Sequence, residues 1–443
     1  MNHTTNDRRQ LLQGLIKGTL LAGAAGPLGL LSGCATSDTA AAGLPSKAQV
    51  VVVGGGYGGS TVAKYIRLLS DYQIDVMLVE PNPNFVSCPV SNLVLSGQRS
   101  LADLTRPYTG LHARHGVRIV QDRVAAVDAD KRQVRLDGGA AVGYDKLVLA
   151  PGVDMMWDSV AGLQAAHAAG QILHAWKAGP ETVALREQLR AMRDGGSYAI
   201  VIPEAPYRCP PGPYERACMV ASYFKVAKPR AKVLVLDANP EVQSKKALFE
   251  KAFKDHYAGI LEYRPNNELK EVSGTSGSLV AKLEFDDVKA DVLNVIPPQR
   301  AGDIARSAGL LNMNNRWVGV NWQTMESTAV PGIHVLGDAT FSAPAMPKSG
   351  HMANQHAKVA AAAIIELLQG KPVNATPVVM NTCYSFVTAR DVIHVASVHQ
   401  YDAAEKTFKT VPGSGGVSAG ANQIEGRYAL SWAENIWGDM LAV

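Results

Sequence analysis

Two apolar patterns alternate along the chain, short unbroken runs and helical stripes, and that alternation predicts an α/β protein. Gln49–Val53 is an apolar run with the length of a buried parallel strand, and it ends in Gly54-Gly55-Gly56-Tyr57-Gly58-Gly59. A helical pattern follows through Leu68, and a second run, Ile74–Val79, stops at Glu80. Strand, G-x-G-x-x-G turn, helix, strand and terminal acid together read as a dinucleotide-binding βαβ unit. Gly54, Gly56 and Gly59 let the backbone approach a pyrophosphate at the positive end of the helix. Glu80 can accept hydrogen bonds from ribose hydroxyls.

Two later runs bear on which dinucleotide is bound. Tyr144–Leu149 leads into Ala150-Pro151-Gly152, and Pro331–Leu336 ends in Gly337-Asp338. Both resemble the later FAD signatures of glutathione-reductase-like flavoproteins, in which the Gly-Asp carboxylate holds the ribityl chain. That resemblance implies FAD, with Ala150, Gly152, Gly337 and Asp338 among its contacts. Ser197–Ile202 and Lys232–Leu236, ending at Asp237, read as a second Rossmann-like unit. Its glycine turn is replaced by a loop rich in proline, which has no N–H to offer a phosphate. We therefore expect no NAD(P)H to bind or donate. A helical stretch, Ser349–Leu368, begins at Met346-Pro347-Lys348-Ser349-Gly350, and its positive end would face the flavin, adding Ser349 and Gly350 to the cofactor contacts.

The expected organisation is two Rossmann-like dinucleotide domains, the FAD domain discontinuous, plus a small C-terminal α+β domain. Its parts are residues 46–160 and 300–372 for FAD, 161–299 for the degenerate nucleotide domain and 373–443 for the last domain. Runs at Cys383–Val387 and Val392–Val398 read as strands of that last domain.

Residues 1–43 read as an export signal. Asn6-Asp7-Arg8-Arg9-Gln10-Leu11-Leu12 resembles a twin-arginine motif, and a Gly/Ala-rich apolar run follows to Leu31. Leu31-Ser32-Gly33-Cys34 resembles a lipobox, which implies a lipid anchor; a plain signal cut near Ala40-Ala41-Ala42 is the equal alternative. Both put the mature chain in the periplasm, where disulfides persist. The formal net charge of +4 falls to +3 without residues 1–43, which favours neither nucleic acid nor an acidic polymer as partner.

Cys88, Cys209, Cys218 and Cys383 remain beyond the leader, too few for a disulfide scaffold. Cys218 has no motif around it and reads as core packing. At Arg208-Cys209-Pro210-Pro211-Gly212-Pro213-Tyr214-Glu215-Arg216, Ile296-Pro297-Pro298-Gln299-Arg300-Ala301-Gly302, Met346–Gly350 and Asn381-Thr382-Cys383-Tyr384-Ser385 the chain resembles the flavoprotein subunit of flavocytochrome c sulfide dehydrogenase. The resemblance implies FAD joined by a thioether to Cys88, and a redox disulfide between Cys209 and Cys383 beside the flavin. It also implies a haem c subunit docked on the C-terminal domain. One departure is Pro89, where the family leads us to expect a bulkier aromatic residue.

That family's chemistry runs from hydrogen sulfide to sulfur or polysulfide. Hydrosulfide opens the disulfide, leaving a persulfide and a thiolate. The thiolate passes two electrons to FAD, which hands them singly to haem. Glu215 stands in the cysteine loop as a candidate acid/base, or alternatively as a salt-bridged surface residue. The Cys209–Cys383 bridge has its own structural alternative, a crosslink stabilising by roughly 5 kcal/mol through loop entropy. Trp432 is a candidate ring cover or a core residue. The sequence contains no C-x-x-C-H, so any haem sits on another chain, and no residue set calls for a metal. Two other functions fit the pattern. A sulfide:quinone oxidoreductase would use the apolar Trp432, Ile436, Trp437, Met440 and Leu441 on a membrane. A non-catalytic exported flavoprotein or thiol carrier would use neither acceptor.

Overall fold

The computed structural model describes residues 48–443, so the twin-arginine and lipobox motifs lie outside the described residues. β1 (Gln49–Val53) passes through the glycine turn into α1 (Tyr57–Leu69), and β2 (Asp75–Val79) returns beside it. β3 (Arg118–Val120) and β4 (Lys146–Leu149) extend the sheet, with a small antiparallel meander between them. Val50–Val53 pair in parallel with Val76–Val79 on one side and with Lys146–Leu149 on the other. Val50, Val51 and Val52 are fully buried, as a parallel sheet covered on both faces requires.

The second unit holds β5 (Ser197–Ile202), α2 (Gly212–Ala227), β6 (Lys232–Asp237), α3 (Lys246–Tyr257), β7 (Leu261–Arg264) and β8 (Val292–Val295). Its strands lie in the order β7-β6-β5-β8, all parallel. The chain then re-enters the first sheet. β9 (Ile333–Val335) pairs with Leu147–Leu149 of β4, and α4 (Gly350–Leu368) packs on α1. The first dinucleotide domain is thus assembled from two separated stretches of sequence, as a doubly wound sheet of this class allows.

β10 (Val378–Phe386), β11 (Val392–Asp402) and β12 (Thr407–Thr410) form an antiparallel sheet with both long strands extending beyond the apolar runs that announced them. The closing helix, α5 (Gln423–Leu441), packs on this sheet and is the helix that an α+β domain needs. Gly426 and Gly438 interrupt its periodicity, so its sequence reads weakly as a helix. Of the residues a membrane-lying segment would have used, Ile436, Trp437, Met440 and Leu441 are buried in the protein core instead, and Trp432 is half-buried. Asp439 pins the helix: its carboxylate accepts from Tyr65 Oη at 2.6 Å and Asn354 Nδ2 at 2.8 Å and pairs with Lys358 at 3.0 Å. Among the described residues no helix is long and apolar enough to cross a membrane.

Candidate functional site

The three motif glycines do different work. Gly54 has φ +97°, and a Cβ there would lie 2.5 Å from the Ala150 carbonyl oxygen. A Cβ on Gly59 would lie 1.7 Å from the Gly54 carbonyl oxygen, so both positions serve close approach of strand, turn and helix. Gly56 caps α1 and would meet nothing within 4 Å; it opens onto a groove of about 420 Å³. Glu80, Ala150, Gly152, Gly337 and Asp338 line the same groove. Glu80 accepts the Gly55 N–H at 2.7 Å and the Asn82 N–H at 2.8 Å, so it braces the turn as well as facing the groove.

Asp338 tests the fit of a cofactor. Its Oδ1 is buried and has no hydrogen-bond partner, and burial pushes the carboxyl up against the opposing pull of Arg208 and Lys348. A buried acceptor without a donor is costly. The hydroxyls of a ribityl chain are donors of the right kind, and the open N-terminus of α1 suits a pyrophosphate. The residues fit FAD.

A second cavity, about 120 Å³, adjoins the groove and shares Tyr57, Cys88, Arg208, Asp338 and Gly350 with it. Cys209, Cys383, Glu215 and Ser349 line this cavity. Cys88 therefore stands at the junction, its Sγ accepting the Ala178 N–H at 3.4 Å, with the Arg208 guanidinium beside it. Arg208 is itself held on the Trp176 carbonyl.

Cys209 sits at the start of the turn into α2 with φ +59°, a conformation costing a non-glycine residue of order 1–3 kcal/mol. Its N–H donates to the Lys348 carbonyl at 2.9 Å, which ties the cysteine loop to the segment that starts α4. Cys383 comes from the middle of β10, where alternation puts Asn381, Cys383 and Ser385 on one face. Asn381 Nδ2 donates to Cys383 Sγ at 3.3 Å, and Ser349 Oγ, besides capping α4, donates to Asn381 Oδ1 at 2.6 Å. Both thiols are free, and the fold brings them to one cavity from different domains. Burial pushes both thiols up. Cys383 and Glu215 add to the effect at Cys209, whereas Lys245 and Asn381 oppose it at Cys383.

Glu215 is buried in the first turn of α2, not salt-bridged on the surface. It accepts the Phe386 N–H at 2.9 Å and Asn92 Nδ2 at 2.9 Å, and burial holds its carboxyl above the ordinary value. Cys218 is fully buried on the same helix, away from the cavity, as core packing requires. Trp432 lies on the cavity wall beside His351 and Tyr384. Three residues that the sequence did not single out matter here. Trp176 closes the cavity, Arg208 stands between Cys88 and Asp338, and Lys245 is buried behind Cys383. Only Arg208 carried a signal, its place next to Cys209.

In the second unit, Trp176 and Cys209 crowd the N-terminus of α2, where a dinucleotide pyrophosphate would sit. A Cβ on Gly212, at the N-terminus of α2, would lie 2.8 Å from the Trp176 ring and 2.9 Å from Cys209 Sγ. Asp237 closes β6, where a ribose-binding acid would stand, but its carboxylate accepts from Tyr214, Tyr263 and Asn239. One trio among the described residues, His167, His174 and Glu181, has ligand atoms close enough for a metal. His174 Nδ1 accepts the Trp176 N–H at 2.8 Å, so its Nε2 carries the proton and donates to Glu181 at 3.0 Å. That trio braces the loop bearing Trp176.

Comparison with known proteins gives this geometry a family. A model for the central part of the sulfide dehydrogenase (flavocytochrome c) flavoprotein chain matches residues 182–297, which include Cys209 and Glu215. The flavin-binding model of flavocytochrome c sulphide dehydrogenase matches residues 375–441, which include Cys383. Over 46 residues the chain is 61% identical to the sulfide dehydrogenase flavoprotein chain of Chlorobaculum thiosulfatiphilum, spanning 94% of that sequence and 10% of this one. The chain belongs to the flavocytochrome c sulfide dehydrogenase flavoprotein family. A pyridine nucleotide-disulphide oxidoreductase model matches residues 48–188, the part of this flavoprotein that carries Glu80 and Cys88. The mitochondrial sulfide:quinone oxidoreductase of Mus musculus is 25% identical over 339 residues, 71% of this chain and 69% of its own. The solved sulfide:quinone oxidoreductase of Aquifex aeolicus superposes with TM-score 0.70 at 19% identity, covering 89% of this chain and 91% of that one. The flavoprotein family thus shares its fold with quinone-reducing relatives.

Proposed function

We propose that this FAD-dependent oxidoreductase takes electrons from sulfide through a Cys209–Cys383 disulfide and delivers them to a c-type cytochrome subunit. The observation that carries the reading is the convergence of Cys209, Cys383 and Glu215 on one cavity that opens, at Cys88, into the cofactor groove. Hydrosulfide attacks one sulfur of the bridge and breaks the S–S bond, so the outer sulfur is oxidised and one cysteine leaves as thiolate. A second hydrosulfide carries the outer sulfur away as a polysulfide anion. Re-forming the bridge releases the two electrons. Bound FAD supplies a two-electron sink that returns electrons one at a time to haem. Cys88 holds the flavin through a thioether, and Glu215 moves the proton of the incoming hydrosulfide. Export fits this chemistry, because the oxidising periplasm lets the bridge rest closed.

Two observations favour a protein acceptor over a quinone. Ile436, Trp437, Met440 and Leu441 of α5 are spent in the core, and Val378, Met380 and Val417, with Ile424 and Tyr428 near the start of α5, leave an exposed apolar component in the last domain. The crowding of Trp176 and Cys209 at the N-terminus of α2 supports a donor other than a nicotinamide.

Serine variants of Cys209 and Cys383 test the central claim. Each should bind FAD and melt close to wild type, while sulfide-driven flavin bleaching collapses and dithionite still bleaches. Normal sulfide bleaching in both variants would refute the redox disulfide and leave a structural crosslink.

A further inference from the structure

Lys245 immediately precedes α3, is only 8% exposed, and takes no part in the chemistry described so far. Its Nζ donates to the Cys383 carbonyl at 3.0 Å and to Ser385 Oγ at 2.8 Å. Both acceptors are neutral, and no carboxylate of the described residues lies within ion-pair distance of it. An ammonium has three hydrogens, and two are used. Taking a cation out of water without a counter-ion costs several kcal/mol. Such a group is worth keeping where a negative charge arises during turnover, and the only chemistry nearby that creates one is the opening of the bridge.

We propose that Lys245 is the positioning cation of the sulfide half-reaction, the counter-ion of the negative charge that opening the bridge leaves at Cys383. The inference rests on the redox-disulfide reading above. The balance is the same in either direction of attack. If Cys383 is the leaving group, it holds the thiolate; if it is attacked, it holds the persulfide, which loses its proton to become the anion. In both cases the electron pair of the broken S–S bond stays on the departing sulfur. The two sulfurs are not equivalent. Lys245 and Glu215 act on both, but at Cys383 the lysine outweighs the carboxyl and the Asn381 amide adds a donor, whereas at Cys209 the Glu215 carboxyl outweighs the lysine.

The ionisable groups that face Lys245 are Cys383 from β10, Glu215 from α2, Cys209 from the loop before it and Glu425 from α5. The Phe249 ring lies 5.7 Å from Nζ. Burial lowers the ammonium to about 8, with those four groups opposing. Its charge is therefore lost as pH rises past that value, and the rate of sulfide-driven bleaching should fall on the alkaline side.

The test uses the FAD-loaded full chain. Lys245→Met should slow sulfide-driven bleaching by about 10- to 100-fold, the worth of one charge-assisted hydrogen bond, and should abolish the alkaline fall. Lys245→Arg should restore most of the rate and keep it flat above pH 8, since a guanidinium stays charged. A lysine that merely pins β10 would lower the melting temperature and leave the pH profile alone. A measurement without any variant stands beside these. In wild-type protein with the bridge reduced, iodoacetamide alkylation followed peptide by peptide should show Cys383 titrating below Cys209. Equal or reversed titration, or an unchanged rate and pH profile in a folded Lys245→Met, overturns the proposal. Normal sulfide bleaching in Cys209→Ser overturns the disulfide reading first and this inference with it.

Discussion

Cys88, Glu215 and Asp338 sit within one continuous pair of cavities, yet burial and partners give each a different task. Cys88 has the Arg208 guanidinium and the Ala178 N–H beside its sulfur, at the junction of the two cavities. We expect acid-denatured protein to retain one FAD by intact mass and Cys88→Ser to lose it; yellow colour left wholly in the acid supernatant would rule out the thioether. Glu215 makes a pH prediction with a definite sign. Burial raises its carboxyl above the ordinary 4.5, so the folded chain keeps a proton that the unfolded chain releases. Wild-type stability is therefore unpenalised below about 4.5 and falls as pH rises from there towards the folded value. Glu215→Gln removes that dependence. The melting temperature of the variant relative to wild type should climb between acid and neutral pH, and a flat difference would show that the carboxyl titrates normally. The motifs around Cys88, Cys209, Cys383 and Asp338 made them candidates in the sequence through their resemblance to known flavoprotein families. Lys245 and Trp176 were not legible, because nothing local marks a lysine whose partner is 138 positions away or an indole that closes a cavity from a distant loop.

At the scale of elements, legibility followed local chemistry. β1, its glycine turn, α1 and β2 could be read directly, because a doubly buried strand is continuously apolar and the turn has its own glycine code. The cysteine loop before α2 was legible for the opposite reason, since proline excludes a phosphate cradle. α5 was obscure. Its two glycines weaken the helical pattern, and its inward residues resemble a surface anchor until the core that receives them is known. What fixes it is long-range: Asp439 meets Tyr65 on α1 and Asn354 and Lys358 on α4. Asp439→Ala leaves those donors unmatched and should cost about 1–3 kcal/mol. A lowered melting midpoint with an unchanged flavin spectrum is the expected result. An unchanged midpoint would mean that apolar burial alone holds the helix.

For the whole molecule, the question is where two electrons go after they leave the cysteines. The fold is shared with sulfide:quinone oxidoreductases, so topology does not choose the acceptor. The choice lies in which surfaces remain available. α5 buries Ile436, Trp437, Met440 and Leu441, which are therefore not available to a membrane, and leaves Ile424 and Tyr428 exposed. The second dinucleotide unit keeps its parallel sheet but has lost its cradle: Trp176 and Cys209 crowd the N-terminus of α2, and Asp237 is spent on tyrosines. In the proposed reading, electrons enter at the cysteine cavity and leave to a cytochrome partner. The chain lacks a haem attachment motif, so that partner brings its own. Mixed anaerobically with sulfide, the purified chain should bleach its flavin and stop. Adding a c-type cytochrome subunit should restore turnover, seen as haem reduction in step with flavin reoxidation. NADH in place of sulfide should leave the flavin yellow, and quinone in vesicles should leave it bleached. Rapid reoxidation by vesicle quinone without cytochrome would move the chain to its quinone-reducing relatives, and fast bleaching by NADH would restore a nicotinamide site that the crowding at Gly212 argues against.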